Sequence, residues 1–337
     1  MAQKTYGIDF GTSTIKVYKK GQGIILNERN VVSTVGREKK TVAIGEEAYE
    51  MFEKVPPSIH VSFPINHGVI SEIEDMTSLC DFMIGKISGK RKPKGQEFYI
   101  AVPADITDVE KQAYARIVTE GVCKPKRVYL IDKPIADAYG MGLDVEKANG
   151  ILIVNFGADT TEVSILSLGG IVVSSLLPYG GNYFDEQILN YIRKNYNFVI
   201  GKKTAEQIKK ALITAFPNEE QLKVAGRNVL KGLPGEMVIR SEEVNPLVAD
   251  VFHDIASCVR SMLERTPPEI SQEIIRNGIY LTGGSSFIKG IDQLIANATY
   301  LKVNSTKNAQ KTTVNGIGYL AEHSKLAIKY AISLNNK

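Results

Sequence analysis

The feature that most constrains this chain is a short pattern that occurs twice. "YGIDFGTSTIKVYKKGQG" begins at Tyr6 and "ILIVNFGADTTEVSILSLGG" begins at Ile151. Each runs as an apolar strand, a turn combining Gly with Thr or Ser, and a β-branched strand. Repetition of such a hairpin, each copy followed by alternating strands and helices, predicts an α/β protein built from two related lobes. The length of 337 residues agrees, since it exceeds one ordinary core and suits two. The copies are unequal. The first carries Asp9, whereas the second has Asn155 at the matching point and Asp159 where a small residue is expected.

Between and after the hairpins the pattern is readable in outline. "NVVSTVG" is a short strand, and a helix opens after Gly45. A turn at Asn66-His67-Gly68 precedes a helix with apolar residues near 3.6 spacing. "EFYIAVPADIT" is a strand closing at Pro103, followed by a helix with Thr107 as N-cap and Glu110 three residues on, a capping box. "KRVYLIDKPIADAYGMGL" is a strand entering a helix through Pro134. In the second half a strand is expected over 170–177, a helix from about Asn182, a helix-rich insert over 184–240 and a helix over 244–264. "GIYLTGGSSFIKGIDQLI" reads as strand, Gly-rich turn and helix, and "NGIGYLAEHSKLAIKYAISL" as helix.

Composition narrows the class. Apolar content of 43% with 23% charged residues is that of a globular protein, not a disordered one. The net charge of +4 comes without a basic stripe interleaved with aromatics, so no nucleic-acid partner is expected. Cys80, Cys123 and Cys258 form no CxxC and read as buried free thiols of a reducing compartment. His60, His67, His253 and His323 are scattered and read as ordinary core or surface residues. With no leader read ahead of Tyr6 and no membrane-length apolar run, a cytoplasmic protein is expected.

Three turns carry the candidate chemistry. In "GIDFGTST", small residues let backbone N–H groups face phosphate oxygens, while Thr12, Ser13 and Thr14 add hydroxyl donors. Asp9 at the strand end suits Mg²⁺ held through water, because magnesium takes one or two carboxylates and fills its shell with waters and phosphate oxygens. An ordinary hairpin with a Gly turn is the alternative for this motif alone. "LTGGSSFIKG" places Gly283 and Gly284 between a strand and a helix, where backbone can approach a flat ring or a phosphate.

The chain resembles the MreB family of bacterial actins over nearly all its length. The resemblance is carried by "GIDFGTSTIKVY", "AIGEEAYEMF", "PINHGVISEIEDM", "AVPADITDVEKQA", "TTEVSILSLGGIV", "LNYIRKNYNFVIGKKTAEQIK", "GRNVLKGLP" and "LERTPPEISQEIIRNGIYLTGGSSFIKGID". It implies an actin-like fold of two ribonuclease-H-like lobes clasping Mg–ATP or Mg–ADP. The lobes implied are residues 1–140 plus 317–337, with a small subdomain near 32–66, and residues 141–316, with a small subdomain near 182–243. It further implies paired protofilaments serving cell shape or motility, with paralogous filament proteins and an anionic inner membrane face as partners. Carried over by position, Asp9 is the metal-associated carboxylate, and Thr12, Ser13 and Thr14 are the first phosphate loop. Gly157, Ala158 and Asp159 lie in the second loop, flanked by Thr160 and Thr161. Glu206 and Lys209 flank ribose and adenine, with an exposed helical charge pair as the alternative, and Gly283, Gly284, Ser285 and Ser286 complete the pocket.

The chain departs from the family where water is activated. The second loop, Asp-Ile-Gly-Gly-Gly-Thr in the family, reads Asn155-Phe156-Gly157-Ala158-Asp159-Thr160, and "GGD" becomes Gly180-Gly181-Asn182. The acid before the Pro of the family's "EEP" is Lys133. An ammonium has three donors and no acceptor, so it cannot take a hydrogen bond from an attacking water. The resemblance with these losses implies an actin-type ATPase with weakened hydrolysis, and Lys133 is expected to pair with Asp159, the alternative being that each points to solvent independently. Where the resemblance implies an apolar membrane-inserting loop, this chain has the basic "SGKRKPKG", read as a solvated loop with lipid-headgroup contact as the alternative. "HSKLAIKYAISLNNK" is amphipathic and expected to pack on the first lobe. A nucleotide-independent scaffold is the main alternative. A small-molecule kinase lacks the "LERTPPEI" block, and a heat-shock chaperone needs a further domain.

Overall fold

The computed structural model describes residues 4–88, 95–147 and 149–332. They divide into two compact units: Met1–Ala148, Leu166–Leu176 and Gln310–Lys337 form one, and Asn149–Ile165 and Leu177–Ala309 the other. No helix among the described residues is long and apolar enough to cross a membrane.

The first unit is organised by a six-stranded sheet in the order Ala331–Ile332, Arg127–Asp132, Glu97–Val102, Thr5–Phe10, Thr14–Lys19, Gly23–Arg29. Thr5–Phe10 is buried at every position, as a central strand covered on both faces must be. One face meets the helix Ile73–Ser88, whose Met76, Leu79, Cys80, Met83 and Ile84 recur at helical spacing and are all buried. Each such side chain stabilises the unit by about 1.5–3 kcal/mol. The helix Asp108–Glu120 starts at the expected capping box. Thr107 accepts from the Glu110 N–H, and the Glu110 carboxylate accepts from the Thr107 N–H at 2.7 Å. The Asn66–Gly68 turn closes an antiparallel pair, with His67 at φ 48° and Gly68 at φ 76°.

The other face of this sheet meets the helix Thr312–Glu322, which lies against the helix Lys133–Gly140 at very short range. Glycines permit it. A Cβ on Gly316 would overlap the Ala136 carbonyl, and one on Gly140 would overlap the Thr312 carbonyl. The buried Asp137 carboxylate accepts from the Thr313 hydroxyl at 2.5 Å across the same contact.

The C-terminal stretch is not one helix. Among the described residues it breaks at His323, resumes over Ser324–Tyr330 and passes into Ala331–Ile332, which pairs antiparallel with Leu130–Ile131. That short strand covers an edge left open by Arg127–Asp132. Tyr330 meets Tyr139 edge-on, and the two hydroxyls lie 3.1 Å apart.

The second unit is built on neighbouring strands in the order Thr161–Ser167, Ile151–Phe156, Ile279–Thr282, Val303–Ser305. The core includes Leu152, Val154, Phe156, Phe184, Ile188, Phe252 and Ile255. The reading of 184–240 as helix-rich needs correction. Helices Gly181–Tyr196 and Lys202–Leu212 are followed by an antiparallel pair, Gln221–Asn228 with Pro234–Arg240, extended by Phe198–Val199. Gln221–Asn228 buries only Val224, and so little apolar alternation hides a strand from sequence. The helix placed at 244–264 runs Ala249–Arg265, after a 3₁₀ turn at Asn245–Leu247 around Pro246. Cys80 and Cys123 are buried free thiols as expected, while Cys258 is only half-buried.

Candidate functional site

In the first unit the turn Gly11–Ser13 is drawn tight: a Cβ on Gly11 would crowd the Thr14 carbonyl. Asn30 holds it from behind, donating its side-chain amide to Gly11 O at 3.1 Å and its backbone N–H to Ser13 O at 3.1 Å. Arg29 donates to Ser13 Oγ at 3.3 Å and Lys16 to Thr14 Oγ1 at 2.8 Å. Both hydroxyl oxygens accept here, so their hydrogens remain free to donate to an anion. Asp9 and Lys16 are cross-strand partners in the hairpin and are both buried. Their charged groups lie 3.6 Å apart, so the carboxylate expected to hold Mg²⁺ through water already has a cation beside it.

Asp132 and Lys133 sit where a strand passes into a helix: Asp132 is the N-cap and Lys133 the first helical residue. The Asp132 carboxylate accepts from Lys111 Nζ at 3.1 Å. Burial pushes its pKa up, with Lys111 working in the opposite direction. The acid next to Lys133 is therefore held by a lysine, and Lys133 itself is half-buried.

In the second unit three segments meet. The Gly157 N–H closes its turn on Thr160 O at 2.9 Å. Gly157 O accepts from the Gly181 N–H at 3.2 Å and from Ser285 Oγ at 2.6 Å, and Ala158 O accepts from the Asn182 N–H at 2.6 Å. The second loop, the start of helix Gly181–Tyr196 and the Gly283 turn are thus tied together, and two of that helix's free N–H groups are used by the loop. Gly283 has φ 89°, and a Cβ there would overlap the Phe156 carbonyl. Gly284 and Ser285 lie in the short 3₁₀ turn Gly284–Phe287 with Ser286, whose hydroxyl donates to Gly283 O at 2.6 Å. Asp159 is buried, with its backbone against Gly180. Thr160 is half-buried, whereas Thr161 is fully buried and its hydroxyl donates to Tyr179 O at 2.8 Å.

Glu206 and Lys209 are not an exposed charge pair. Glu206 takes Lys210 at 2.7 Å, while Lys209 reaches inward to Gly181 O at 2.9 Å and Asp185 Oδ2 at 2.8 Å. Asp185 escaped the sequence reading. It is buried, and Oδ1 has no hydrogen-bond partner among the described residues. A signal existed, because Asp185 shares the buried face of its helix with Phe184, Ile188 and Ile192.

Burial pushes the Asp185 pKa up to about 6, against the pull of Lys209. Desolvation therefore outweighs the ion pair for this acid. A carboxyl that ionises more easily in the unfolded chain favours the fold below its unfolded value and loses that contribution as pH rises through about 6. Between pH 4 and 7, wild type is expected to lose about 2 kcal/mol of stability relative to Asp185→Asn. Urea unfolding of both proteins at several pH values checks this, and parallel pH profiles would refute it.

Comparison with known proteins places the chain among its relatives. The family described as MreB/Mbl protein matches residues 3–329. The cell shape-determining protein Mbl of Bacillus subtilis (strain 168) is 34% identical over 325 residues, 96% of this chain and 97% of its own. The cell shape-determining protein MreB of Escherichia coli (strain K12) is 34% identical over 329 residues, 96% of this chain and 94% of its own. The crystal structure of MreB5 of Spiroplasma citri bound to ADP superimposes with a TM-score of 0.90 at 30% identity, covering 97% of this chain and 99% of that one. Its AMPPNP-bound form gives a TM-score of 0.89 at 30% identity, covering 98% and 99%. This chain belongs to the MreB/Mbl protein family and has the actin-like fold.

Proposed function

We propose that this protein binds ATP and ADP, assembles with copies of itself into protofilaments in response to nucleotide, and supports cell shape or motility while hydrolysing ATP slowly. The observation that carries the binding reading is a pair of glycine-closed loops, one in each unit, whose neighbours hold their carbonyls from behind. The structural likeness to MreB5 of Spiroplasma citri, solved with ADP and with AMPPNP, supports the choice of ligand. The free hydroxyl hydrogens of Ser13 and Thr14 would donate to phosphate oxygens. Lys209 and Glu206 would lie toward the sugar and base, with Gly283, Gly284, Ser285 and Ser286 beside them.

Slow hydrolysis follows from what faces the water. Lys133 offers only donors, and Asp132 is engaged by Lys111. Nucleotide then acts chiefly as an assembly ligand, shifting the chain toward the conformation that fits end to end. Paralogous filament proteins and an anionic membrane face are further partners in this reading. Of the basic segment at 88–95, residues 89–94 lie outside the described residues. Such a segment contributes about 1 kcal/mol per Lys or Arg at an anionic surface.

Light scattering and pelleting of the full chain, without nucleotide, with ADP and with ATP, test the proposal. Nucleotide is expected to raise the sedimented fraction severalfold. Equal assembly in its absence would replace the proposal with a nucleotide-independent scaffold.

A further inference from the structure

The Mg²⁺ site expected at Asp9 does not fit this chain well, because a lysine already stands there. Hairpin register sets Lys16 directly across from Asp9, and the pair is buried, with 6% and 7% of Asp9 and Lys16 exposed. Lys16 Nζ lies 3.6 Å from Asp9 Oδ2 and donates to Thr14 Oγ1 at 2.8 Å. An ammonium carries three hydrogens. One goes to Thr14 and one faces Asp9, and among the described residues the third has no acceptor. A hydrated Mg²⁺ drawn to Asp9 would meet a like charge that the fold keeps in place. An anion on the Thr14 hydroxyl would instead lie within reach of that third hydrogen.

We propose that Lys16 is a built-in cation of the first loop, taking at Asp9 the place of Mg²⁺ and contacting the phosphates of a bound nucleotide directly. The inference rests on the nucleotide reading above and deepens it. Affinity for ADP or ATP then depends little on added magnesium. Lys16 also keeps the buried Asp9 carboxylate neutralised when the loop is empty, so the hairpin is ready for phosphate before any metal arrives.

Isothermal titration of the full chain with ADP, in excess Mg²⁺ and in EDTA, tests this. Wild type is expected to change affinity by less than about threefold between the two conditions. Lys16→Met keeps the length of the buried stem without the charge. In EDTA it is expected to bind ADP about 10- to 100-fold more weakly, the worth of one charge-assisted hydrogen bond, with Mg²⁺ restoring most of the loss. A wild-type affinity that collapses tenfold or more in EDTA overturns the assignment of Lys16 while leaving nucleotide binding intact (roughly 1.4 kcal/mol or more). Lys16→Met binding in EDTA as tightly as wild type overturns it as well. Absence of any ADP binding by wild type in either condition, up to millimolar ligand, overturns the nucleotide reading and this inference together. Should Lys16→Met fail to fold, the wild-type comparison decides alone, with Lys16→Arg as the charge-preserving variant.

Discussion

Phosphate release from ATP is expected to rise at least about tenfold when Lys133→Glu and Asp159→Gly are combined, because a positioned acid of this kind contributes about 10²–10⁴-fold to such steps. The glutamate supplies an acceptor to the water, which the lysine cannot. The glycine removes a carboxylate that, about 4 Å from a phosphate charge, is repelled by roughly 4 kcal/mol at an effective dielectric near 20. The single variants should gain less. Lys133→Glu alone keeps the carboxylate that repels phosphate, and Asp159→Gly alone leaves the water without an acceptor. If the two side chains pair as their opposite charges lead one to expect, the four proteins will be clearly non-additive in rate and in ADP affinity. Asp132 cannot substitute for the missing acid in wild type while its carboxylate is held by Lys111. Wild-type turnover matching that of the double variant would remove the account of weakened hydrolysis.

Gly316→Ala is expected to cost the first unit about 3 kcal/mol or more, whereas Gly85→Ala is expected to stabilise it by about 0.5–1 kcal/mol. Both glycines lie inside helices, and both substitutions improve helix propensity. The difference lies entirely in what surrounds them. A methyl on Gly316 would strike the Ala136 carbonyl and crowd the Gly140 N–H, both backbone atoms that move only if a helix moves. A methyl on Gly85 meets nothing within 4 Å. Because the helix Thr312–Glu322 also covers Gly7 through Ile317, the displacement would spread to the strand that carries Asp9. Urea unfolding followed by far-ultraviolet circular dichroism separates the outcomes by sign. Equal effects at the two positions would mean that the helix contact is loose enough to yield.

Much of the local architecture was legible because it rests on interactions only a few residues long. Both hairpins, the Thr107 capping box, the helix entered through Pro134 and the Asn66–Gly68 turn fall where their patterns place them. The resemblance of whole segments extended this to the actin-like fold. Less was legible where the signal was weak or shared. The pair Gln221–Asn228 and Pro234–Arg240 buries Val224 on one strand and Ile239 on the other, too little apolar alternation to separate it from polar helix. The segment from Asn315 reads as helix in sequence, and only the open sheet edge at Leu130–Ile131 explains why Ala331–Ile332 is strand.

The amino-acid order by itself determined which turns are tight, which faces are apolar and which residue stands before Pro134, since these depend on backbone sterics and side-chain chemistry at each position. Tertiary structure alone decided the charge partners. Lys209 is given to Asp185 instead of Glu206, Asp132 to Lys111, and Asp9 to Lys16. A charged side chain can reach several others, and the choice among them rests on which candidates the packed helices and strand register leave within a few ångströms and shielded from water.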